Sequence, residues 1–252
     1  MGTKRQMLIS FWLKGRTDVN ILPASAQDFP RYRAIAEHGL LIEFGNTIDE
    51  NIHARVMQLD AVLQAEPFAG FIEAVPAYAS LTIRFDPLTT DHPAAQQAVE
   101  QLLSRGGRIA GTKSEREVAV CYDTELAPDL LAVAEATGLT VEEVIAAHLS
   151  GDYRVFMYGF APGYAYMAGV PETVYLPRKA AAVRGVPAGS VLIAGPQCLV
   201  TTLTMSTGWW IIGRSPTCVL TGDSERPFLF DVGDNVRFRR ISRAQFDAET
   251  KP

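Results

Sequence analysis

Glycine, proline and aromatic residues recur at short intervals from Val155 to Pro216, and no other stretch restricts the fold as much. Between Gly151 and Arg240 lie 11 of the 20 glycines and 7 of the 15 prolines. Each proline removes a backbone donor and each glycine permits a tight corner or a close backbone approach, so no long helix can run through this half. Short strands joined by tight turns fit, and closing them into a small barrel disposes of their unpaired edges. Asn235 to Ile241, with Val236 and Phe238 alternating with basic residues, reads as a closing strand. The last ten residues read as a frayed tail.

The first half alternates strands and helices. Gly39–Gly45 is a short apolar run and reads as a strand. Thr47-Ile48-Asp49-Glu50 has the spacing of a capping box, and Ile48, Ile52, Val56, Leu59 and Leu63 follow as one helical stripe. Phe71–Val75 is a second strand, and Leu81, Ile83 and Phe85 mark a half-buried third. Pro93–Ser104 reads as a helix carrying Ala94, Ala98, Leu102 and Leu103, ended by Gly106 and Gly107. Glu117–Tyr122 is a fourth strand. The order β-α-β-β-α-β is that of a ferredoxin-like unit. Two helices follow: Asp129 to Thr137, stopped by Gly138, and one opened by the capping box Thr140–Glu143 and running to about Leu149. The expected class is therefore α+β. A small α/β domain over 29–113, with its boundary near Lys113, precedes a β-barrel domain over 114–245.

Composition narrows the partners. A net charge of -5 on 252 residues argues against nucleic acid or an anionic membrane as partner. Three cysteines, at 121, 198 and 218, form no CxxC pair, so neither a disulfide framework nor a metal site is expected, and a reducing cytoplasm is the simplest setting. No apolar run approaches the roughly 20 residues that span a bilayer. Lys4 and Arg5 before Met7–Leu13, with Ala24-Ser25-Ala26 beyond, imitate a signal peptide, but Lys14, Arg16 and Asp18 interrupt its apolar core; residues 1–28 read as a disordered extension.

Few residues stand out as chemical. Gly106–Ser114 nearly spells a phosphate loop, yet Thr112 intrudes before Lys113 and a strand follows where a helix is required, so it reads as an interdomain turn. His148, near the end of its helix, reads either as an imidazole favoured by the helix dipole or as an acid, base or oxyanion donor facing the barrel mouth. His38, His53 and His92 lack a partner pattern and read as surface. Arg178 follows Pro177, whose fixed turn holds a guanidinium ready to grip a carboxylate or phosphate with two bonds. Gln197, after a tight corner, carries an amide able to donate and accept. Cys198 beside it has no sequence-local base and reads as packed. Trp209 and Trp210 face opposite ways along a strand. Phe160, Tyr164 and Tyr166 flank Pro162-Gly163 and can line the same cavity.

In combination these pieces resemble a family that includes the B-type subunit of 5-oxoprolinase, the allophanate hydrolase subunit 1 proteins and a sporulation-kinase inhibitor. The resemblance rests on Gly159-Phe160-Ala161-Pro162-Gly163-Tyr164, Leu176-Pro177-Arg178, Val186-Pro187-Ala188-Gly189-Ser190-Val191, Ala194-Gly195 with Gln197, Gly208-Trp209, and Ile212-Gly213-Arg214-Ser215-Pro216. Leu41–Gly45 and Val75–Leu81 extend it through the first half, so it covers roughly residues 35 to 240.

The resemblance implies a cyclophilin-like barrel behind the small domain. It implies a component of an ATP-dependent lactam or amide hydrolase that opens 5-oxo-L-proline to L-glutamate and is inactive alone. The implied partners are a second cyclophilin-like subunit, the C-type component of 5-oxoprolinase, and a lactam-utilisation subunit, its A-type component, with the ATP site shared or on a partner. In that reading Arg178 holds the substrate carboxylate, Gln197 its lactam, and His148 assists proton transfer. Phe160, Pro162, Tyr164 and Trp209 shape the binding surface. Alternatives are an allophanate hydrolase-like subunit or a non-catalytic inhibitor that docks on a histidine kinase. The chain departs from the family pattern where Ala182-Val183 replaces a second Pro-Arg, where Cys198-Leu199 follows Gln197 in place of Thr-Gly, and where Met205-Ser206-Thr207 precedes Gly208-Trp209.

Overall fold

The structure is a computed structural model that describes residues 29–105 and 114–250. The extension 1–28, the boundary near Lys113 and nearly all of the phosphate-loop-like segment lie outside the described residues.

The first unit runs β1 (Arg31–Ile35), β2 (Gly39–Glu43), α1 (Glu50–Ala65), β3 (Phe71–Pro76), β4 (Ser80–Phe85) and α2 (His92–Arg105). Its antiparallel sheet has the order β1-β2-β4-β3. The class is α+β as the sequence implies, but one strand moves at each end. Arg31–Ile35 is an additional strand that its polar, arginine-rich sequence concealed. The strand expected to complete this sheet, Glu115–Val120, belongs to the barrel.

Asp49 rather than Thr47 caps α1, accepting from the amides of Asn51 and Ile52 at 2.8 and 2.9 Å. One carboxylate satisfies two orphan donors, so the helix starts two residues later than the capping-box reading. The buried face of α1 carries Val56, Leu59 and Leu63 as expected, and also His53. In α2 the buried residues are Ala95 and Val99, while Leu102 and Leu103 are only partly covered, so the stripe is rotated by one position.

The second unit adds β5 (Glu115–Val120), α3 (Leu130–Thr137), α4 (Val141–Ser150), β6 (Tyr153–Tyr158), β7 (Ala165–Ala168), β8 (Val183–Val186), β9 (Ser190–Ala194), β10 (Gln197–Val200), β11 (Met205–Thr207), β12 (Trp210–Arg214), β13 (Asn235–Arg240) and α5 (Arg243–Glu249). Seven strands form one sheet in the order β12-β9-β10-β7-β6-β13-β5. β5 and β13 pair in parallel along their full length. Just past β5, Cys121 exchanges two backbone bonds with Arg214 at the end of β12, at 2.8 and 2.9 Å, and this seam brings the two edges together. Gly213 makes the seam possible, because a Cβ there would stand 2.6 Å from a Val120 methyl carbon.

The strands' inner faces and helices α3 and α4 share one apolar core, including Val118, Val155, Met167, Ile193, Cys198, Ile212 and Phe238. The local helix signals match the structure here: Gly138 ends α3 in the left-handed region at φ 70°, and Thr140 and Glu143 form a reciprocal capping box on α4. As far as Thr250, the last described residue, the C-terminal end is not a frayed tail. Ser242 and Gln245 cap α5, which buries Phe246 against Ala119, Cys121 and Ile241.

The two units are docked. His53 Nε2–H donates to the Phe156 carbonyl at 2.8 Å, its ring lies 4.4 Å from that of Phe156, and His53 is 2% exposed. The surface reading of His53 is thus corrected: burial holds its pKa below the ordinary value, aided by Arg154 nearby. Arg154 pairs with Glu50 at 2.8 Å across the same boundary.

Candidate functional site

Strand β10 separates two polar groups. Side chains alternate along a strand; Cys198 and Val200 point into the barrel core, whereas Leu199 points out into a second cluster with Tyr164, Val186, Leu192, Ala194, Trp209 and Ile211. Gln197 shares the outward face with Leu199. The β8–β11 ribbon flanks this outer wall, contributing Val186 and Met205.

Arg178 sits on the outer wall. It is exposed, and its guanidinium carbon lies 5.5 Å from the centre of the Trp209 ring. A cation over an indole gains about 0.5–1 kcal/mol at an exposed site and fixes the plane of the guanidinium fork. The segment beneath is clamped: the Lys179 amide donates to the Gly208 carbonyl at 2.7 Å, and Trp210 Nε1–H to the Pro177 carbonyl at 2.8 Å. Lys179 Nζ pairs at 2.6 Å with Asp129, whose same oxygen accepts the Ile211 amide at 2.7 Å. Asp129 is therefore not free to cap α3. Trp209 faces the outer cluster, and Trp210 packs against the core, as their adjacent positions require.

From Arg178 the wall continues through aromatic rings. Trp209 meets Tyr166 edge-on at 5.8 Å, Tyr166 lies 6.5 Å from Tyr164, and Tyr164 lies 5.6 Å from Phe160. Phe160 is 75% exposed and holds φ at 69°. A non-glycine residue seldom adopts that left-handed backbone, so a large apolar ring is held out in solvent at a conformational cost. Pro162 is exposed beside it, its carbonyl accepting from the Thr202 hydroxyl at 2.6 Å. Tyr164 and Trp209 are 3% and 5% exposed, so they support the wall instead of forming its open surface, which corrects their expected place as lining residues. The Tyr164 hydroxyl is spent on the Met205 sulfur, and burial raises its pKa to about 12.

Gln197 stands opposite Ala168 on β7. Tyr78, from the turn joining β3 and β4, reaches over from the first unit. Its hydroxyl donates to the Met167 carbonyl at 3.2 Å, and its ring stacks 5.1 Å from Phe156. Arg178, Trp209, Tyr166, Gln197 and Tyr78 thus follow one outer wall. Four clefts of the described residues, around Arg55, Arg243, Gln96 and Arg214, include neither Arg178 nor Gln197, so the hollow expected beside these two residues is not among them. Single-sequence reasoning passed over Tyr78 as a site residue; its only signal was membership of the Val75–Leu81 motif.

His148 lies on the other side of β10. It is 0% exposed, with Nδ1 2.7 Å from the Tyr122 hydroxyl and Nε2 3.7 Å from the Cys198 sulfur. Its carbonyl accepts from the Tyr153 hydroxyl at 2.9 Å, and its ring packs 4.5 Å from Phe238. Desolvation drives its pKa down to about 3 and raises those of Tyr122 and Cys198 above their ordinary values. A neutral imidazole in a dry core, with no route to the outer wall, is a packed hydrogen-bonding residue. The expectation that His148 faces the mouth and moves protons is corrected. Cys198 is packed, as its sequence context implied.

Known proteins resemble this chain in sequence and in fold. The profile of the carboxyltransferase domain, subdomain C and D, matches residues 30–230. The chain is 34% identical over 225 residues to a Bacillus subtilis (strain 168) protein named as the B subunit of 5-oxoprolinase, covering 85% of this chain and 94% of that one. Among solved structures, TTHA0988 superposes with a TM-score of 0.71 at 32% identity, over 81% of this chain; the chain spans 40% of the length of that protein. Kluyveromyces lactis urea carboxylase shares the fold at a TM-score of 0.72 and 16% identity, over 86% of this chain and 22% of its own.

Proposed function

The chain belongs to the carboxyltransferase-domain family, subdomain C and D, and from that membership we propose that it is the B-type subunit of a 5-oxoprolinase complex that opens 5-oxo-L-proline to L-glutamate. The observation that carries this reading is the 34% identity running through 94% of the Bacillus subtilis relative. The outer wall supports it. Arg178 is a fixed, exposed, two-pronged cation suited to a carboxylate, and Gln197 is an amide suited to a lactam. Phe160, Pro162 and Tyr166 offer apolar surface to the ring between those two ends. Trp209 and Tyr164 hold that surface in shape from beneath.

The wall is open on its outer side. A second cyclophilin-like subunit would close it, excluding water and strengthening the Arg178–carboxylate pair. The described residues do not fit ATP by themselves. Lys179, the lysine next to Arg178, is neutralised by Asp129 at 2.6 Å. The nucleotide is assigned to the partners, the lactam-utilisation subunit foremost. All three cysteines are free thiols, which supports a reducing, cytoplasmic setting, and no described helix is long and apolar enough to cross a membrane.

The test is reconstitution with a second cyclophilin-like subunit and a lactam-utilisation subunit, following 5-oxoproline-dependent ATP hydrolysis and glutamate release. The expected outcome is turnover by the mixture and none by this chain alone. Turnover by the isolated chain would refute the need for partners. Absence of turnover from every mixture, with retention of a histidine kinase on the immobilised chain, would replace this reading with that of an inhibitor.

A further inference from the structure

Two adjacent cations, Arg178 and Lys179, lie against two adjacent tryptophans. The Arg178 guanidinium carbon stands 5.5 Å from the centre of the Trp209 ring, and Lys179 Nζ stands 5.8 Å from that of Trp210. The Lys179 amide on the Gly208 carbonyl at 2.7 Å, and Trp210 Nε1–H on the Pro177 carbonyl at 2.8 Å, hold the two segments side by side. Trp209 belongs to the outer cluster and Trp210 packs against the core. The two cations part in the same way. Arg178 is exposed on the wall, whereas the Lys179 side chain is only 13% exposed. Which cation faces out matters chemically, because a guanidinium is a rigid fork matched to a carboxylate and an ammonium is a single point charge.

We propose that Asp129 is a positioning residue for substrate binding: it draws Lys179 inward and so leaves Arg178 as the cation that faces the outer wall. Asp129 Oδ2 accepts from Lys179 Nζ at 2.6 Å and from the Ile211 amide at 2.7 Å, and the Asp129 amide donates to the Ile211 carbonyl at 3.0 Å. The carboxylate is thus anchored on β12, next to the two tryptophans. Asp129 also stands at the N-cap of α3 and makes no side-chain cap bond there. It forgoes the local bond that an aspartate at this position ordinarily supplies and commits its oxygen to the strand and the lysine. Removing its charge leaves an unpaired, largely covered ammonium, a state that Lys179 relieves by turning out to water. Because the two side chains leave the segment on opposite sides, that turn carries Arg178 away from the wall.

This inference rests on the reading of Arg178 as the grip for a substrate carboxylate, but the choice of cation is testable without a substrate. Asp129→Asn keeps an oxygen for the Ile211 amide and removes only the charge. In the intact chain, acetylation of Lys179 by acetic anhydride is expected to speed up severalfold in this variant, and modification of Arg178 by phenylglyoxal to slow severalfold, both mapped by mass spectrometry. In the assembled complex, Asp129→Asn should weaken 5-oxoproline binding about tenfold, since a point charge replaces a two-pronged donor. The double variant Asp129→Asn/Lys179→Met also removes the competing cation. It should return Arg178 labelling to the wild-type rate and 5-oxoproline affinity to within about threefold of wild type, a rescue that a purely structural clamp does not give. Melting temperatures verify folding. If Asp129→Asn does not fold, Asp129→Ser takes its place, because the serine hydroxyl caps α3 while the charge is still removed. Unchanged labelling of Lys179 and Arg178 in the folded variant, an unchanged affinity beside altered labelling, or a loss of affinity that the double variant does not restore overturns the proposal. If the wild-type complex does not bind 5-oxoproline, the reading of Arg178 as the grip fails, while the two labelling rates still decide whether Asp129 sets which cation faces out.

Discussion

The two sides of β10 carry similar chemistry to opposite ends. Inside, His148, Tyr122, Tyr153 and Cys198 bring an imidazole, two phenols and a thiol together, and every polar atom is used by another. Outside, Arg178, Tyr166, Gln197 and Tyr78 set a guanidinium, an amide and two phenols at successive places along one wall, and the guanidinium is left facing solvent over Trp209. The inner group is fully desolvated, so its members hold to their neutral forms. The outer group rests on a rigid apolar base and keeps bonding capacity for a ligand. Reactive residue types do not make a site; residual hydrogen-bonding capacity at an accessible surface does.

Three measurements would break or sharpen that contrast. The largest effect is expected from His148→Ala, which leaves the Tyr122 hydroxyl unpartnered beside a new cavity. Together these should cost about 3–5 kcal/mol of stability, seen as a melting temperature lower by roughly 10 °C, with turnover per folded molecule unchanged. Lost turnover at normal stability would move His148 back among the catalytic groups. Next is Arg178→Ala, expected to weaken 5-oxoproline binding by about 10- to 100-fold, the worth of a charge-assisted bond, while the melting temperature stays near wild type. A large stability loss without an affinity change would make Arg178 a structural clamp.

The smallest effect is a slope with pH. The folded pKa of His148 is about 3 against an ordinary 6.5, and that of His53 is also lowered. Their stabilising contribution is complete above pH 6.5 and is lost as pH falls below it, because the unfolded chain takes up protons that the folded chain refuses. Each should contribute up to about 1.4 kcal/mol per pH unit in that window. Urea unfolding between pH 7.5 and 5 measures it, and the difference between wild type and His148→Gln isolates His148 from the carboxylates. Parallel curves for the two proteins would mean that His148 is protonated in the folded state.

Much of the molecule was legible locally. Gly138 and the Thr140–Glu143 box marked helix ends because their signals act within one turn. Leu81, Ile83 and Phe85 marked a strand with one wet face. What failed did so for non-local reasons. Arg31–Ile35 is an edge strand whose arginines, one of them paired with Glu43 at 2.9 Å, look like a loop until β2 is beside it. Glu115–Val120 reads as a strand from any sheet, and only its parallel partner β13, over a hundred residues away, assigns it to the barrel. His53 looked like a surface residue because nothing near it in the chain foretells Phe156.

The sequence by itself determined that the second half closes into short strands, that two capped helices precede them, and that Arg178 is held by a proline turn. It also set Trp209 and Trp210 on opposite faces of one strand. It did not determine which face was the core, since Gln197–Val200 lies in a run covered on both sides, where alternation carries no inside-outside signal. That choice, and with it the burial of His148 and the bond of Tyr78 to the Met167 carbonyl, came from packing α3 and α4 into the barrel and docking the first unit against β6 and β7. These contacts join residues tens to over a hundred positions apart, and their energies exist only once the chain has brought them together.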